Sequence, residues 1–373
     1  MAGEAEIFAA DRSSQGTTEW FSAASIKPYS FQGTTEWFSA ASSIVPLSHR
    51  VDYRDTDETL VDTTLVPIQH DATIPANSLT PLHGASWDGY PDIIQLLLER
   101  GADIEAQNCD DHTPLHFAAW RGNTAAAQKL LEHRARVDAR DKYSRTPLHH
   151  ASWHGHPDIV QLLLEHKADT EAQHRDEHTP LHFASWQGKV AAARMLLKHG
   201  AEIHARDKYS QTPLHHASWH GHPDVVQLLL EHGADIEARN CTDNTPLQFA
   251  AWQGKLTSVQ KLLEHGARIE ARDGYSWTPL HRASWREYPD VMQLLLERGS
   301  DIEVQTCHSD TPLHLAARQG NVKAVRMLLK HRAIVYTWNK HHCTPKYLAL
   351  RNGYPGIAQL LSKTEYHSSD SDS

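Results

Sequence analysis

The sequence contains no apolar run approaching the roughly 18 residues that would suggest a membrane-spanning helix. Its opening, MAGEAEIFAADR, is acidic and lacks both the basic start and the apolar core of a signal peptide. The expectation is a soluble, intracellular protein, cytoplasmic or nuclear and not secreted. Positive charge is also in deficit: 36 Lys and Arg stand against 46 Asp and Glu, a formal net charge of −10. No long basic track is therefore offered to a nucleic-acid backbone. Catalytic fingerprints are missing as well. There is no phosphate loop, no G-x-S-x-G, no H-E-x-x-H and no dinucleotide-binding glycine pattern. Neither an enzyme, nor a cofactor, nor a small-molecule substrate is expected.

What is present is a repeat. Thr-Pro pairs begin at Thr80, Thr113, Thr146, Thr179, Thr212, Thr245, Thr278, Thr311 and Thr344, always 33 residues apart. Most copies read TPLH, a variable residue, alanine, then W-x-G, a leucine run and G-A-D-I-E-A. In the copy from Thr146, the threonine caps a helix and Pro147 suits its first turn. Leu148 and Ala151 share one face, Gly155 ends the helix, and Pro157 starts the next. Ile159, Val160, Leu162, Leu163 and Leu164 then form an apolar stripe. Helices of about 8–10 residues are too short to stand alone in water, so each stripe must bury against neighbouring copies. The expected fold class is all-α.

A 66-residue unit underlies the shorter one. Odd repeats carry Pro91, Pro157, Pro223, Pro289 and Pro355 at the second helix, whereas even repeats have residues such as Lys129, Lys189, Lys198, Lys255 and Lys261 there. Two departures stand out. Lys346 and Tyr347 replace leucine and histidine in the ninth repeat, a polar change expected of a terminal unit. Glu287 replaces the usual glycine in the seventh, which puts the turn there in question.

This period and the TPLH-x-A string resemble the ankyrin-repeat family, from about Thr80 to Leu361, more than three quarters of the chain. The resemblance implies a solenoid of stacked helix-turn-helix units with projecting β-hairpin-like loops. It divides the chain into an arm over 1–79, the repeats over 80–363 and an acidic Ser-rich tail over 364–373. In the arm, QGTTEWFSAAS occurs twice, starting at Gln15 and Gln32, and the arm as a whole reads as having little order. Trp20, Phe21, Trp37 and Phe38 are either docking anchors there or products of duplication. Cys109, Cys241 and Cys307 occupy one phase of the repeat, too far apart for the roughly 7 Å that a disulfide allows, and read as reduced thiols.

The 29 histidines are mostly structural. His83, His116, His149, His182, His215, His281 and His314 are the last letter of TPLH, and the resemblance implies that they brace the turn through the backbone and the threonine. Gln248 takes that place in the sixth repeat. His133, His166, His199, His232, His265 and His331 fall in the last turn of a second helix, where histidine favours exposed carbonyls. His150 with His154, and His216 with His220, have i, i+4 spacing that can chelate a metal. With no cysteine or carboxylate completing either pair in sequence, no metal site is expected. Some family members are hydroxylated on an asparagine in the loop after the second helix. Glu105, Asp138, Glu171, His204, Glu237, Glu270 and Glu303 occupy that position here, so this property does not carry over.

The strongest signal for binding is tryptophan at one phase: Trp87, Trp120, Trp153, Trp186, Trp219, Trp252 and Trp285, followed by Arg318 and Arg351. In the family this position faces a concave groove, and exposed rings about 10 Å apart would suit a hot-spot surface. The competing reading has each ring lying against its neighbour as packing. Three residues before the tryptophan, His150 and His216 alternate with Phe117, Phe183 and Phe249. The loops alternate too. Lys142 and Tyr143, Lys208 and Tyr209, and Tyr275 mark one set, while Asp110, Asp176 and Asp243 mark the other. They either match a partner or neutralise one another. The leading expectation is a scaffold or adaptor that binds a protein partner through the tryptophans and loop tips. The alternative is a substrate-recognition subunit of a larger assembly such as a ubiquitin ligase. A structural element without a partner and a histidine-based metal binder are the remaining readings.

Overall fold

The structure, a computed structural model, describes residues 79–367. The tryptophan-phenylalanine pairs at 20–21 and 37–38, nearly all of the 1–79 arm and the end of the tail lie outside the described residues. Eighteen helices follow one another in pairs among the described residues. The first three repeats contribute α1 (Pro81–Asp88), α2 (Pro91–Glu99), α3 (Pro114–Arg121), α4 (Thr124–Glu132), α5 (Pro147–His154) and α6 (Pro157–Glu165). The next three contribute α7 (Pro180–Trp186), α8 (Val190–Lys198), α9 (Pro213–His220), α10 (Pro223–Glu231), α11 (Pro246–Trp252) and α12 (Leu256–Glu264). The last three contribute α13 (Pro279–Arg286), α14 (Pro289–Glu297), α15 (Pro312–Gln319), α16 (Val322–Lys330), α17 (Pro345–Arg351) and α18 (Pro355–His367).

Each first helix packs on the first helix of the next repeat, and second helices do likewise, so one continuous core runs through the array. In the third repeat Leu148, Ala151, Ile159, Val160, Leu163 and Leu164 are buried, and Leu162 is half-buried against them. Burying a leucine or isoleucine fully contributes about 1.5–3 kcal/mol. Here that burial depends on the neighbouring repeat, which is why such short helices persist.

The first helices begin alike because Thr and His cap each other. At Thr146 the backbone is extended, its N–H donates to His149 Nδ1 at 3.0 Å, and its hydroxyl lies 2.9 Å from the same nitrogen. An Nδ1 that accepts leaves the ring proton on Nε2, which donates to the His178 carbonyl at 3.1 Å. The TPLH histidine therefore braces its own turn and also ties it to the following repeat. The same 29-residue link recurs from His83, His116, His182, His215, His281 and His314. Gln248 reproduces both halves, accepting from Thr245 N–H at 2.9 Å and donating to the Trp277 carbonyl at 2.6 Å. In the ninth repeat Tyr347 is exposed, and only its backbone N–H reaches the Thr344 hydroxyl.

At the other end of the repeat, His166, His232 and His265 each place Nδ1 2.8–2.9 Å from the carbonyl four residues earlier, as the helix-terminus reading expects. Glu287 adopts the left-handed conformation that glycine takes elsewhere, with φ 58°, so the turn in the seventh repeat is preserved. Its carboxylate accepts the Lys323 N–H at 2.9 Å, a contact that no glycine can make.

No strand occurs among the described residues, so the projecting loops are turns and not hairpin ladders. Each turn closes on a side chain. Asp207 Oδ1, for example, accepts the N–H groups of Tyr209 and Gln211 at 2.8 Å each. Single backbone bonds then join successive loops, as from Lys208 N–H to the Asp176 carbonyl at 3.2 Å. The position considered for hydroxylation has a structural task as well. Glu105, Asp138, Glu171, Glu237, Glu270 and Glu303 each accept a backbone N–H 31 residues ahead, at 2.7–3.1 Å.

Candidate functional site

The seven tryptophans sit near the ends of the first helices α1, α3, α5, α7, α9, α11 and α13, one per repeat. None is freely exposed: every one is half-buried, and each touches another ring or a guanidinium. Trp87 meets Trp120 at 6.0 Å, and Trp153 meets Trp186 at 5.8 Å, closer than the spacing expected of independent rings. The exposed row anticipated from sequence is thus corrected to a continuous, partly covered aromatic ridge.

The ridge alternates because the residue three before each tryptophan alternates. Tryptophans of odd repeats meet phenylalanine edges: Phe117 at 5.7 Å, Phe183 at 5.4 Å and Phe249 at 5.1 Å. Tryptophans of even repeats lie against a pair of imidazoles one turn apart. Trp120 stacks on His150 and His154 at 5.1 and 5.4 Å, and Trp186 stacks on His216 and His220 at 5.2 and 4.9 Å. In the next even repeat Arg282 and Arg286 replace the two histidines and lie over Trp252 at 4.9 and 4.7 Å. Trp285 packs on Trp277 at 5.5 Å. Burial pushes the His154 and His220 imidazoles down to about 4 and about 3, the adjacent histidines adding to the effect, so both rings are neutral near pH 7.

The loop residues flank this ridge. Lys142 and Lys208 are exposed at the tips and pair with Asp110 and Asp176 of the preceding loop at 3.6 and 3.2 Å. Alternating loops neutralise one another, at a strength of about 0–1 kcal/mol for such exposed pairs. Tyr143 is half-buried between the Arg145 and Arg175 guanidinia, Tyr209 is half-buried beside Lys208, and Tyr275 is 45 % exposed.

Two buried clusters lie under the ridge. The i, i+4 histidine pairs do not converge on one ion, since both members stack on a tryptophan. His150 Nε2 turns instead to Asp141 Oδ2 at 3.2 Å, where His112 Nε2 also arrives at 3.3 Å. Sixty-six residues on, His216 and His178 meet Asp207 Oδ2 at 2.9 and 3.2 Å. Burial pushes the Asp207 carboxyl up, but the two imidazoles outweigh it and hold the group below the usual carboxylate range. These carboxylates are not visible along any one helix, because each lies in the loop before the helix that carries its histidine. The recurrence of His, Asp and His at the same three phases of the 66-residue unit was the available signal.

Similarity agrees with this architecture. A family profile described as "Ankyrin repeats (3 copies)" matches residues 82–174, 166–240, 238–306 and 280–371. Among solved structures, the ankyrin repeat domain of Bcl-3, described as a unique member of the IkappaB protein family, is 33% identical. That match has a TM-score of 0.51 and covers 59% of this chain and 99% of the other. A search of curated proteins returned no match. No helix among the described residues is long and apolar enough to cross a membrane. With the matched residues spanning most of the sequence and the capped helix pairs repeating at the same interval, the chain belongs to the ankyrin-repeat family, whose fold typically serves protein–protein interaction.

Proposed function

We propose that this protein is a non-catalytic intracellular scaffold or adaptor that holds a protein partner on the aromatic ridge and its flanking loop tips. One observation carries the reading. Seven consecutive repeats leave part of an indole at the surface, each ring fixed by a neighbour so that little side-chain freedom is lost on docking. Half-buried, pre-ordered tryptophan is the residue type that dominates binding energy in interfaces. Lys142, Lys208 and Tyr275 extend the surface with groups that reach solvent.

The test is replacement of Trp153, Trp186 and Trp219 by alanine in the full chain, followed by recovery of co-purifying proteins from cell extract. Loss of a defined partner, with helical circular dichroism close to wild type, supports the surface. Recovery that is unchanged refutes it. Loss of helicity assigns the rings to packing alone.

A further inference from the structure

The cluster under Trp186 has the composition and spacing of a metal centre. His178, Asp207 and His216 come from three different segments: the residue before a threonine cap, a loop, and helix α9. They are 7%, 3% and 6% exposed, and their facing atoms all lie within 4.8 Å of one another. The two Nε2–Oδ2 separations, 3.2 and 2.9 Å, both fall slightly short of a tetrahedral edge. For zinc–nitrogen bonds of about 2.0 Å that edge is about 3.3 Å. Asp207 is also fixed in orientation. Its Oδ1 is engaged by the Tyr209 and Gln211 N–H groups, which leaves Oδ2 facing the imidazoles. His178 Nδ1, at the back of its ring, is buried without a hydrogen-bond partner.

The array supplies its own comparison, because the same three phases recur at 66-residue intervals. In the third set they are Asn244, Asp273 and Arg282, and in the fourth, Asp310, Asn339 and Leu348, the loop carboxylate is gone. In the third set the Arg282 guanidinium reaches into the cluster, bonding Asp273 Oδ2 and, at 2.7 Å, Asn244 Oδ1. A cation therefore occupies the centre, supplied by the chain itself. In the first set, His112, Asp141 and His150, the Arg145 guanidinium stands 2.7 Å from Asp141 Oδ2 and provides the positive charge from the side. The second set has neither. Gln211 replaces Arg145, and His216 replaces Arg282. A buried carboxylate is stable when it is paired or bound to a metal, and two imidazole nitrogens beside it are donors suited to a transition ion.

We infer that His178, Asp207 and His216 form a binding site for one divalent transition-metal ion of the zinc class, seated at the repeat junction beneath Trp186. The ligands are the two Nε2 atoms and Oδ2, and a water completes the tetrahedron. Arg145 blocks the equivalent site at His112, Asp141 and His150, since a fixed positive charge on the same carboxylate oxygen repels a divalent ion.

The experiment titrates metal-free full-length protein with cobalt(II) and follows the visible d–d absorption of tetrahedral cobalt, then displaces it with zinc. Wild type should develop the band at one ion per chain. Asp207→Asn should abolish it without unfolding, because Asn240 and Asn339 close the equivalent loops through the same Oδ1 bonds. His216→Phe should do likewise, as Phe183 and Phe249 occupy that helix position in alternate repeats. Arg145→Gln should raise the stoichiometry to two. If Asp207→Asn loses its helical circular dichroism, the pair His178→Asn with His216→Arg, which copies the residues of the third set, takes its place. Absence of a tetrahedral band in wild type overturns the inference. So does a band that survives in these variants, which would place cobalt on surface histidines such as the stacked His308 and His341.

Discussion

The TPLH histidine offers a sharp test of the forces that join one repeat to the next. His281 is fully buried, as is Thr278, and Asp310 is nearly so. Its Nδ1 accepts the Thr278 N–H at 3.1 Å, and its Nε2 donates to the Asp310 carbonyl, also at 3.1 Å. His281→Ala strands both backbone groups. Leaving a buried donor or acceptor unpaired costs about 1–3 kcal/mol, so the expected loss is about 2–6 kcal/mol. His281→Gln should recover most of it, staying within about 1 kcal/mol of wild type, because Gln248 already makes both bonds one repeat earlier. The two variants also separate in acid. Burial pushes the His281 imidazole down to about 4, with the Asp310 carbonyl opposing, from an ordinary value of 6.5. The native state therefore keeps it neutral while the unfolded chain takes up a proton. Its contribution is complete above about pH 6.5 and is lost on acidification at about 1.4 kcal/mol per pH unit, reaching about 3 kcal/mol near pH 4. The glutamine variant lacks that slope. Urea denaturation followed by circular dichroism near neutral pH and near pH 5, with hydrogen exchange of the segment around Thr278, reads both effects. Equal stability of the alanine and glutamine variants, or an identical acid slope in wild type and His281→Gln, would falsify the reasoning.

Two further outcomes follow from the turns and the loop tips. Gly254 has φ +67°, and an added Cβ would lie 2.5 Å from the Tyr288 ring, whereas Gly233 has φ +87° and open space around it. In thermal denaturation Gly233→Ala should cost about 1–2 kcal/mol for its left-handed backbone alone, and Gly254→Ala measurably more; equal costs would refute the steric part. Lys208→Ala, which removes the tip contact to Asp176, should shift stability by less than about 1 kcal/mol, and a larger loss would show that the loops are held by charge.

Much of the architecture was legible in the sequence because every local signal repeats in phase. Thr-Pro, the glycine stops and the leucine runs place all the helix pairs, and the histidines at the ends of α6, α10 and α12 bond the carbonyls they were expected to serve. Ring burial was not legible. Nothing in the spacing of Trp120 or Trp186 shows that two imidazoles of the following repeat lie flat against each, because that depends on helix rotation across a repeat boundary. The carboxylates beside His150 and His216 escaped for the same reason. Asp141 and Asp207 lie 9 residues from those histidines through a loop, and the third member of each cluster is 38 residues away. The turn at Glu287 stays open in the sequence because the residue type argues against a left-handed conformation, while the compensating bond to Lys323 comes from the next repeat.

The alternation of phenylalanine and paired histidine beneath the indoles also governs how an array of this kind can change length. Removing residues 146–211 joins Arg145 to Thr212 and gives every indole and capping bond an equivalent partner, since those contacts repeat at that interval, and only the Arg175 guanidinium over Tyr143 gives way to Cys241. Removing residues 146–178 does not. It sets two even repeats side by side, so that Trp120 faces Phe183 in place of His150, and Asp141 loses one of its imidazoles. Such a chain grows or shrinks without penalty only by whole pairs of repeats, and a gene that gains or loses a single repeat pays at the junction.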